Sequence, residues 1–593
     1  MLGRFQTPES GDEQLQKRQS TVYQDWIRRY DSLSPVQRQY MMDEVANRAV
    51  NPRISVLMFV SDPDLTELHL AVESVISQLY PHWELCIADK TSNASGRKQI
   101  LETIEQLDSR IKVLPQVCRG GSGSAIPITL KQISGDWVCF LSPRDLLAPH
   151  ALWFVAEAIV KNSRARLLYS DEDRMDQDGN RRDPRFKPAW NPDFALSFPY
   201  VERLAAFESA LIKTLDGYCE ECPGAEIYDL FLRCTEHVAS DQIVHIPRIL
   251  YHTRSKDETQ GPADSLKSEI SSASLHAARE HLKRRHRKAV VSEVEGGHRV
   301  RYALPEIPPQ VSIIIPTRDA ADLVRGCIES ITSVSTYPNY EVILVDNGSS
   351  DPAALRYFGS LKNRGVLVIR DDGPFNYSAL NNIAVRQAKG ELICLLNNDI
   401  LAITPDWLEE MVSHAVRDET GVVGAKLLYP DHTIQHAGAI LGIGRIAGHA
   451  FYRMTNKGGG YLGRKQLTSN YSAVTAACMV VRKAVYTEVN GLDEIDFAVG
   501  FNDIDFCLRV QKAGYRNVYT PYAEMYHLES KTRGLDITPE KRSRLQRESD
   551  LMTARWGDLL MMDPAYNPNL SLEWGDFGLA FPPRGQPLSS YRG

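Results

Sequence analysis

One feature constrains this chain more than any other: it repeats itself. Residues 53–89 (RISVLMFVSDPDLTELHLAVESVISQLYPHWELCIAD) and 310–346 (QVSIIIPTRDAADLVRGCIESITSVSTYPNYEVILVD) share their landmarks in near-constant register. Ser55 falls opposite Ser312, Glu73-Ser74 opposite Glu329-Ser330, Tyr80-Pro81 opposite Tyr337-Pro338, and Asp89 opposite Asp346. The order resumes downstream. SGDWVCFLSPRD (134–145) matches KGELICLLNNDI (389–400), EIYDLFLR (226–233) matches NDIDFCLR (502–509), and Tyr251-His252 matches Tyr526-His527. A chain of 593 residues with that pattern is expected to hold two copies of one domain.

Within each copy the local pattern is strand, helix, strand. VSIIIPT and YEVILVD are short apolar runs rich in β-branched residues, as expected of strands buried on both faces of a parallel sheet. Between them Leu323, Cys327, Ile328 and Ile331 recur at helical spacing and supply the crossover. The fold class is therefore α/β, with a mainly parallel sheet built twice. Ligands of such sheets bind beyond the carboxyl ends of the strands. That directs attention to Pro316-Thr317-Arg318, Asp346-Asn347 and Asn397-Asn398-Asp399. The expected division is a helical segment over 1–50, a first copy over 51–255, a helical linker over 256–309, a second copy over 310–534 and a helical and loop-rich tail over 535–593.

Composition excludes several classes. The formal charge of −7 gives no global attraction for nucleic acid. No stretch approaches the ~20 continuous apolar residues of a membrane span. The opening MLGRFQTPESGDEQLQK has no apolar core of a secretion signal. Ten cysteines are sparse for this length, and Cys139, Cys394 and Cys478 sit in apolar runs, so a reduced, cytoplasmic protein is expected. No strand is followed by the G-x-G-x-x-G turn of a dinucleotide-binding oxidoreductase.

The combination SIIIPTRD, VDNGSSD, NND, D-x-D-x-x-L-R and YHxESxxRG resembles family 2 glycosyltransferases of the GT-A fold, in particular tandem-domain bacterial O-antigen, capsule and rhamnan enzymes. The likeness covers both copies, and also the helical ends and the DPAYNPNLS tail. It implies inverting transfer of a sugar from a nucleotide diphosphate donor, dTDP-rhamnose or a UDP-hexose, to a glycan or lipid-linked glycan. Such an enzyme would work at the cytoplasmic face of the membrane, where it could associate peripherally. By the same likeness Pro316, Thr317, Arg318, Asp346, Asn347, Asn381 and Asn398 would bind the nucleotide sugar. Asp399 and His527 would hold Mn2+ or Mg2+, Asp503 would be the general base, and Lys531 and Arg533 would clamp the diphosphate. The usual Asp-x-Asp is Asn397-Asn398-Asp399 here, which removes one carboxylate and keeps the last.

The first copy differs at the same places. Aligned on the strand before it, Arg144 falls at Asp399, and Ile227 falls at Asp503. An arginine repels a cation and an isoleucine cannot accept a proton, so residues 51–255 are expected to be non-catalytic. Two observations leave open an active first copy and a bifunctional enzyme. Asp145 could slide into the ligand position, and Ser170-Asp171-Glu172-Asp173 is a second acidic cluster. A protein in which both copies only bind glycan or organise a complex is the alternative of another class.

Three further patterns have ordinary readings beside their sharper ones. Cys219-x-x-Cys222 with Cys234 and His237 has zinc-like spacing but no counterpart in the second copy. The run Lys283–Lys288 is a basic patch or a solvated helix end. Arg119–Ser124 is glycine-rich but lacks the Lys-Ser/Thr of a phosphate loop.

Overall fold

The computed structural model describes residues 11–61, 64–89, 95–114, 132–215, 222–254, 272–529 and 538–591. Each copy builds one large sheet, and the two sheets order their strands identically. In the first copy the lateral order is Ile111–Leu114, Trp83–Asp89, Ile54–Val60, Trp137–Phe140, Ala205–Glu208, Leu167–Met175, Ile243–Arg254 and Leu146–Leu147. In the second it is Leu367–Arg370, Tyr340–Asp346, Val311–Thr317, Leu392–Leu396, Cys478–Arg482, Thr420–Leu428, Arg516–His527 and Ile400–Ala402. The first four strands of each sheet run parallel, and Thr420–Leu428 also runs parallel to Arg516–His527. Cys478–Arg482 and Ile400–Ala402 join antiparallel to their neighbours. All seven residues of Val311–Thr317 are buried, which explains its unbroken apolar run.

The shared residues do the same structural work in both copies. Ser55 Oγ donates to Glu84 and accepts from Gly135 N–H, and Ser312 Oγ donates to Glu341 and accepts from Gly390 N–H. A Cβ on Gly135 would lie 2.4 Å from Ser55 Oγ and one on Gly390 2.7 Å from Ser312 N, so both positions require glycine for close approach. Tyr80 and Tyr337 donate to the carbonyls of Pro52 and Pro309. Ser74 and Ser330 receive the backbone N–H of Leu147 and Ala402. The repeat is thus a repeated hydrogen-bond scaffold.

Helices Gly11–Tyr30 and Pro35–Asn47 lie against the first copy, where Tyr23 OH donates to Asp173 and Trp153 Nε1 to the Met41 carbonyl. The linker is less helical than its periodicity suggests. Its helix Ser272–Arg284 stops before Lys288 and is followed by a hairpin of Ala289–Val294 and Gly297–Tyr302. After the helix Pro539–Met561 the tail ties the copies together. Asp563 accepts from Ser472 and Leu441 in the second copy, while Asn567 Nδ2 donates to Asp171 and to the Lys187 carbonyl in the first. A buried Arg417–Asp193 pair at 2.6 Å crosses the same junction. No described helix is long and apolar enough to cross a membrane.

Candidate active site

The carboxyl ends of the second sheet gather the residues singled out above. Thr317 closes its strand and is buried, and Asn398 Nδ2 donates to its hydroxyl at 2.8 Å. Pro316 is buried within the strand, and Arg318 beyond it is exposed. Asp346 closes the next strand, but its carboxylate is already engaged: Ser349 N–H donates to Oδ1 at 2.9 Å and Arg370 Nη1 to Oδ2 at 2.8 Å. Arg370 was not singled out in the sequence. It ends the neighbouring edge strand in direct register with Asp346 and is 45% exposed, so it can also meet a bound anion. Asn347 Nδ2 donates to the carbonyls of Asp371 and Gly373, and its buried Oδ1 has no hydrogen bond among the described residues. Asn381, on helix Tyr377–Gln387, donates to the Tyr377 carbonyl one turn back, and its Oδ1 likewise has no hydrogen bond among the described residues.

Asp399 and His527 meet although 128 positions separate them, because Ile400–Ala402 pairs antiparallel with the end of Arg516–His527. His527 Nε2 lies 3.3 Å from Asp399 Oδ1. Both side chains are buried, and among the described residues nothing hydrogen-bonds to Asp399 Oδ1 or His527 Nδ1. Two neighbouring ligands of an octahedral cation with bonds of about 2.1 Å lie roughly 3 Å apart, so the pair fits a hard divalent ion. The described residues offer no third His, Cys, Asp or Glu to the same group. The remaining positions would fall to water and to phosphate oxygens, as is usual for Mg2+.

Asp503 lies in the first turn of helix Asn502–Lys512, which begins at Phe501 in a left-handed conformation (φ 58°). Its Oδ2 accepts from Ala476 N–H at 3.2 Å and its Oδ1 from Ile504 N–H at 2.9 Å. Among the described residues, two backbone amides hold this half-buried carboxylate. Asp505 is different: fully buried, it accepts from Arg509, Arg555 and Trp556. The first copy keeps this second aspartate as buried Asp229, four residues before Arg233, and replaces the first by Ile227, which packs on an apolar cluster. The two aspartates of D-x-D-x-x-L-R therefore have separate tasks.

The first copy corrects one alignment made above. Leu146 pairs with His252 as Ile400 pairs with His527, so the residue standing at Asp399 is Asp145, not Arg144. The loop before it is one residue longer, and Arg144 turns outward to within 3.4 Å of Glu67. Asp145 is not a free ligand, however. It accepts from Tyr251 OH and Arg254 N–H, and burial raises its pKa. His252 is held by Asp173 at 2.5 Å, and Asp173 also accepts from Arg181 and Tyr23. Glu172 pairs with Lys187 and Arg185, and Asp171 with His245. The acidic cluster 171–173 is an internal ion network.

Lys531, Arg533, Cys219 and the loop 119–124 lie outside the described residues. Cys222 and Cys234 are buried in two different apolar clusters, and His237 is exposed. Much of the basic run is spent internally: Arg284 holds Glu236 of the first copy at 2.9 Å and Arg287 holds Glu419 of the second at 2.8 Å, so the linker is tied to both.

The family model described as "Glycosyl transferase family 2" matches residues 65–192 and 312–489. An uncharacterized protein, y4gI, of Sinorhizobium fredii is 42% identical over 547 residues, covering 91% of this chain and 60% of its own length. The O-antigen biosynthesis protein RfbC of Myxococcus xanthus is 36% identical over 541 residues, covering 91% of this chain and 42% of its own. This chain thus spans less than two thirds of either relative's length. A solved structure of a mannosyltransferase from Pyrobaculum calidifontis, in complex with GDP-Man and Mn2+, is 17% identical with a TM-score of 0.31, over 44% of this chain and 72% of that one.

Proposed function

We propose, on the premise that the chain belongs to glycosyl transferase family 2, that it moves a sugar from a nucleotide diphosphate donor to a glycan hydroxyl with inversion. The reaction is assigned to residues 310–534, and residues 51–255 act as a non-catalytic copy that supports them. The observation that carries this reading is the Asp399–His527 pair, buried at the strand ends with no hydrogen bond to Asp399 Oδ1 among the described residues, in the same copy that keeps Asp503.

Thr317, Asn398, Asn347 and Asn381 would address the base and ribose, with Asp346 contributing while Arg370 holds its carboxylate in place. Asp399 and His527 would hold Mn2+ or Mg2+, which when bound neutralises charge on the departing diphosphate. Asp503 would accept the proton of the acceptor hydroxyl as that oxygen bonds to the anomeric carbon. The bond from that carbon to the donor phosphate oxygen breaks, and its electron pair leaves with the diphosphate. One displacement on the face opposite the leaving group gives inversion. Lys531 and Arg533 would meet the diphosphate. A general base of this kind supplies about 10²–10⁴ in rate.

The relationship to the O-antigen biosynthesis protein RfbC supports a place in bacterial surface polysaccharide synthesis. A lipid-linked glycan as acceptor and peripheral attachment at the inner membrane face are part of the same proposal. Donor choice is tested by thermal shift with dTDP-rhamnose, UDP-glucose, UDP-galactose and UDP-N-acetylglucosamine, each with and without Mn2+. One donor should stabilise the protein only with Mn2+, and Asp399→Ala should remove that shift. A shift that survives Asp399→Ala, or that needs no metal, would refute the site assignment.

A further inference from the structure

A histidine pair stands beside Asp503, and nothing in the reading above uses it. His436 ends the short strand Ile434–His436 and is completely buried. His449 ends the strand Ala447–His449 and is half-buried. Their Nδ1 atoms lie 2.9 Å apart. Burial holds both rings below the usual histidine range, so they are neutral at pH 7. Two unprotonated nitrogens at that distance would repel, so one of them carries a hydrogen.

The backbone decides which one. Thr475 N–H, a donor by necessity, points at His436 Nε2 at 3.4 Å. His436 Nε2 is therefore an acceptor, and its hydrogen sits on Nδ1 and is donated to His449 Nδ1. His449 must then carry its own hydrogen on Nε2. The next amide along the chain, Ala476 N–H, donates to Asp503 Oδ2. Consecutive amides of one segment thus orient the carboxylate and the histidine pair. Asp503 and Glu529 both lie close enough to draw protons toward the His449 ring, against its burial. The Tyr452 ring is beside it, 44% exposed, with centroids 6.2 Å apart.

The described residues of the first copy hold no such device. Its strand Arg181–Arg185 pairs with Leu167–Met175 as Ile434–His436 pairs with Thr420–Leu428, but it carries arginines that pair with Glu172 and Asp173. Histidine pair and Asp503 are kept, or lost, together.

We propose that His449 presents its Nε2–H to the oxygen of the acceptor hydroxyl beside Asp503, and that His436 is the positioning residue that fixes the tautomer. This rests on the reading of Asp503 as the base. A hydroxyl that accepts from His449 and donates to Asp503 has both lone-pair direction and proton direction defined, which is what an in-line attack needs. The acceptor class is a pyranose with a free hydroxyl, its apolar face against Tyr452.

The test uses the full chain, Mn2+ and the nucleotide sugar selected by thermal shift, with water as the acceptor, and reads donor hydrolysis. His449→Phe removes the donor, whereas His449→Gln keeps an N–H at the position of Nε2. His436→Leu breaks the relay, whereas His436→Asn keeps an N–H at the position of Nδ1. Loss of one oriented hydrogen bond predicts a fall of about tenfold in turnover for His449→Phe and His436→Leu. The Gln and Asn variants should stay within about threefold of the parent, with the affinity for the nucleoside diphosphate of that donor plus Mn2+ unchanged in all four. Parental turnover in His449→Phe, or no rescue by Gln, would overturn the proposal. Ring ¹⁵N–¹H correlations of histidine-labelled protein read the tautomers separately, with His436 expected as Nδ1–H and His449 as Nε2–H. The opposite form in either ring overturns the relay whatever the kinetics. If the parent hydrolyses no nucleotide sugar, the transfer reading fails and the acceptor role with it, and the tautomers then report the relay alone.

Discussion

Replacing Asp505 by Asn, beside Asp503→Asn, separates the two acidic positions that share one motif. Asp505 is fully buried and its Oδ2 accepts from Arg509 Nε at 2.7 Å, while Oδ1 accepts from Arg555 Nη1 at 2.9 Å and Trp556 Nε1 at 3.0 Å. An asparagine can keep the Oδ1 contacts but turns an N–H toward Arg509 and removes the charge between two guanidinium groups. Breaking a buried pair costs about 3–5 kcal/mol. The arginine side chains are 21% and 31% exposed and Arg555 keeps Asp493 and Asp496, which favours the lower end. At roughly 2–4 °C per kcal/mol for a domain of this size, a loss of about 3 kcal/mol lowers the melting temperature by about 10 °C. Asp503→Asn removes only an acceptor from backbone amides and should shift melting by no more than about 2 °C. Its Mn2+-dependent donor hydrolysis should fall by about 10²–10⁴. Calorimetry and nucleotide release on the same preparations check both. If Asp505→Asn melts like the parent yet loses hydrolysis while Asp503→Asn retains it, the assignment of the base is wrong.

Other outcomes follow from single contacts. Arg144→Ala should leave donor binding and hydrolysis unchanged, because the Arg144 side chain is exposed and its ion pair is with Glu67; lost hydrolysis would restore an active first copy. Asn567→Ala should destabilise by about 2 kcal/mol, read from urea midpoints, since it leaves the buried Asp171 carboxylate and the Lys187 carbonyl without their tail donor. Burial pushes His298 down to about 4, so its ring stays neutral in the fold while the unfolded chain takes up a proton near 6.5. Its contribution is therefore full above pH 6.5 and is lost as pH falls toward 4, a total of about 3 kcal/mol. A His298→Gln variant should lose less stability than the parent over that interval, and parallel curves would refute this.

Much of the scaffold is legible without coordinates. Ser55 and Ser312, Tyr80 and Tyr337, and Gly135 and Gly390 recur at matching places because each makes the same short-range contact in its own copy. The fully buried strands announce themselves as unbroken β-branched runs, and the strand-end rule leads directly to Thr317, Asp346 and Asp399. The loss of Asp503 at Ile227 is also visible, since both helices begin in the same register.

Other features depend on groups far apart in the chain. The register of Asp145 is set by the pairing of Leu146 with His252, and no alignment on the preceding strand can register a loop one residue longer. Arg370 reaches Asp346 only through strand pairing, and the acidic run 171–173 looks like a ligand cluster until Lys187, Arg181, His245 and His252 are seen to occupy it. The sequence by itself determined that the chain is two copies of one α/β unit and which copy carries Asp503 where the other has Ile227. Tertiary structure decided which carboxylates are free. Periodicity and composition report local burial, whereas the partners that satisfy a buried charge are brought in by crossovers from scores of residues away.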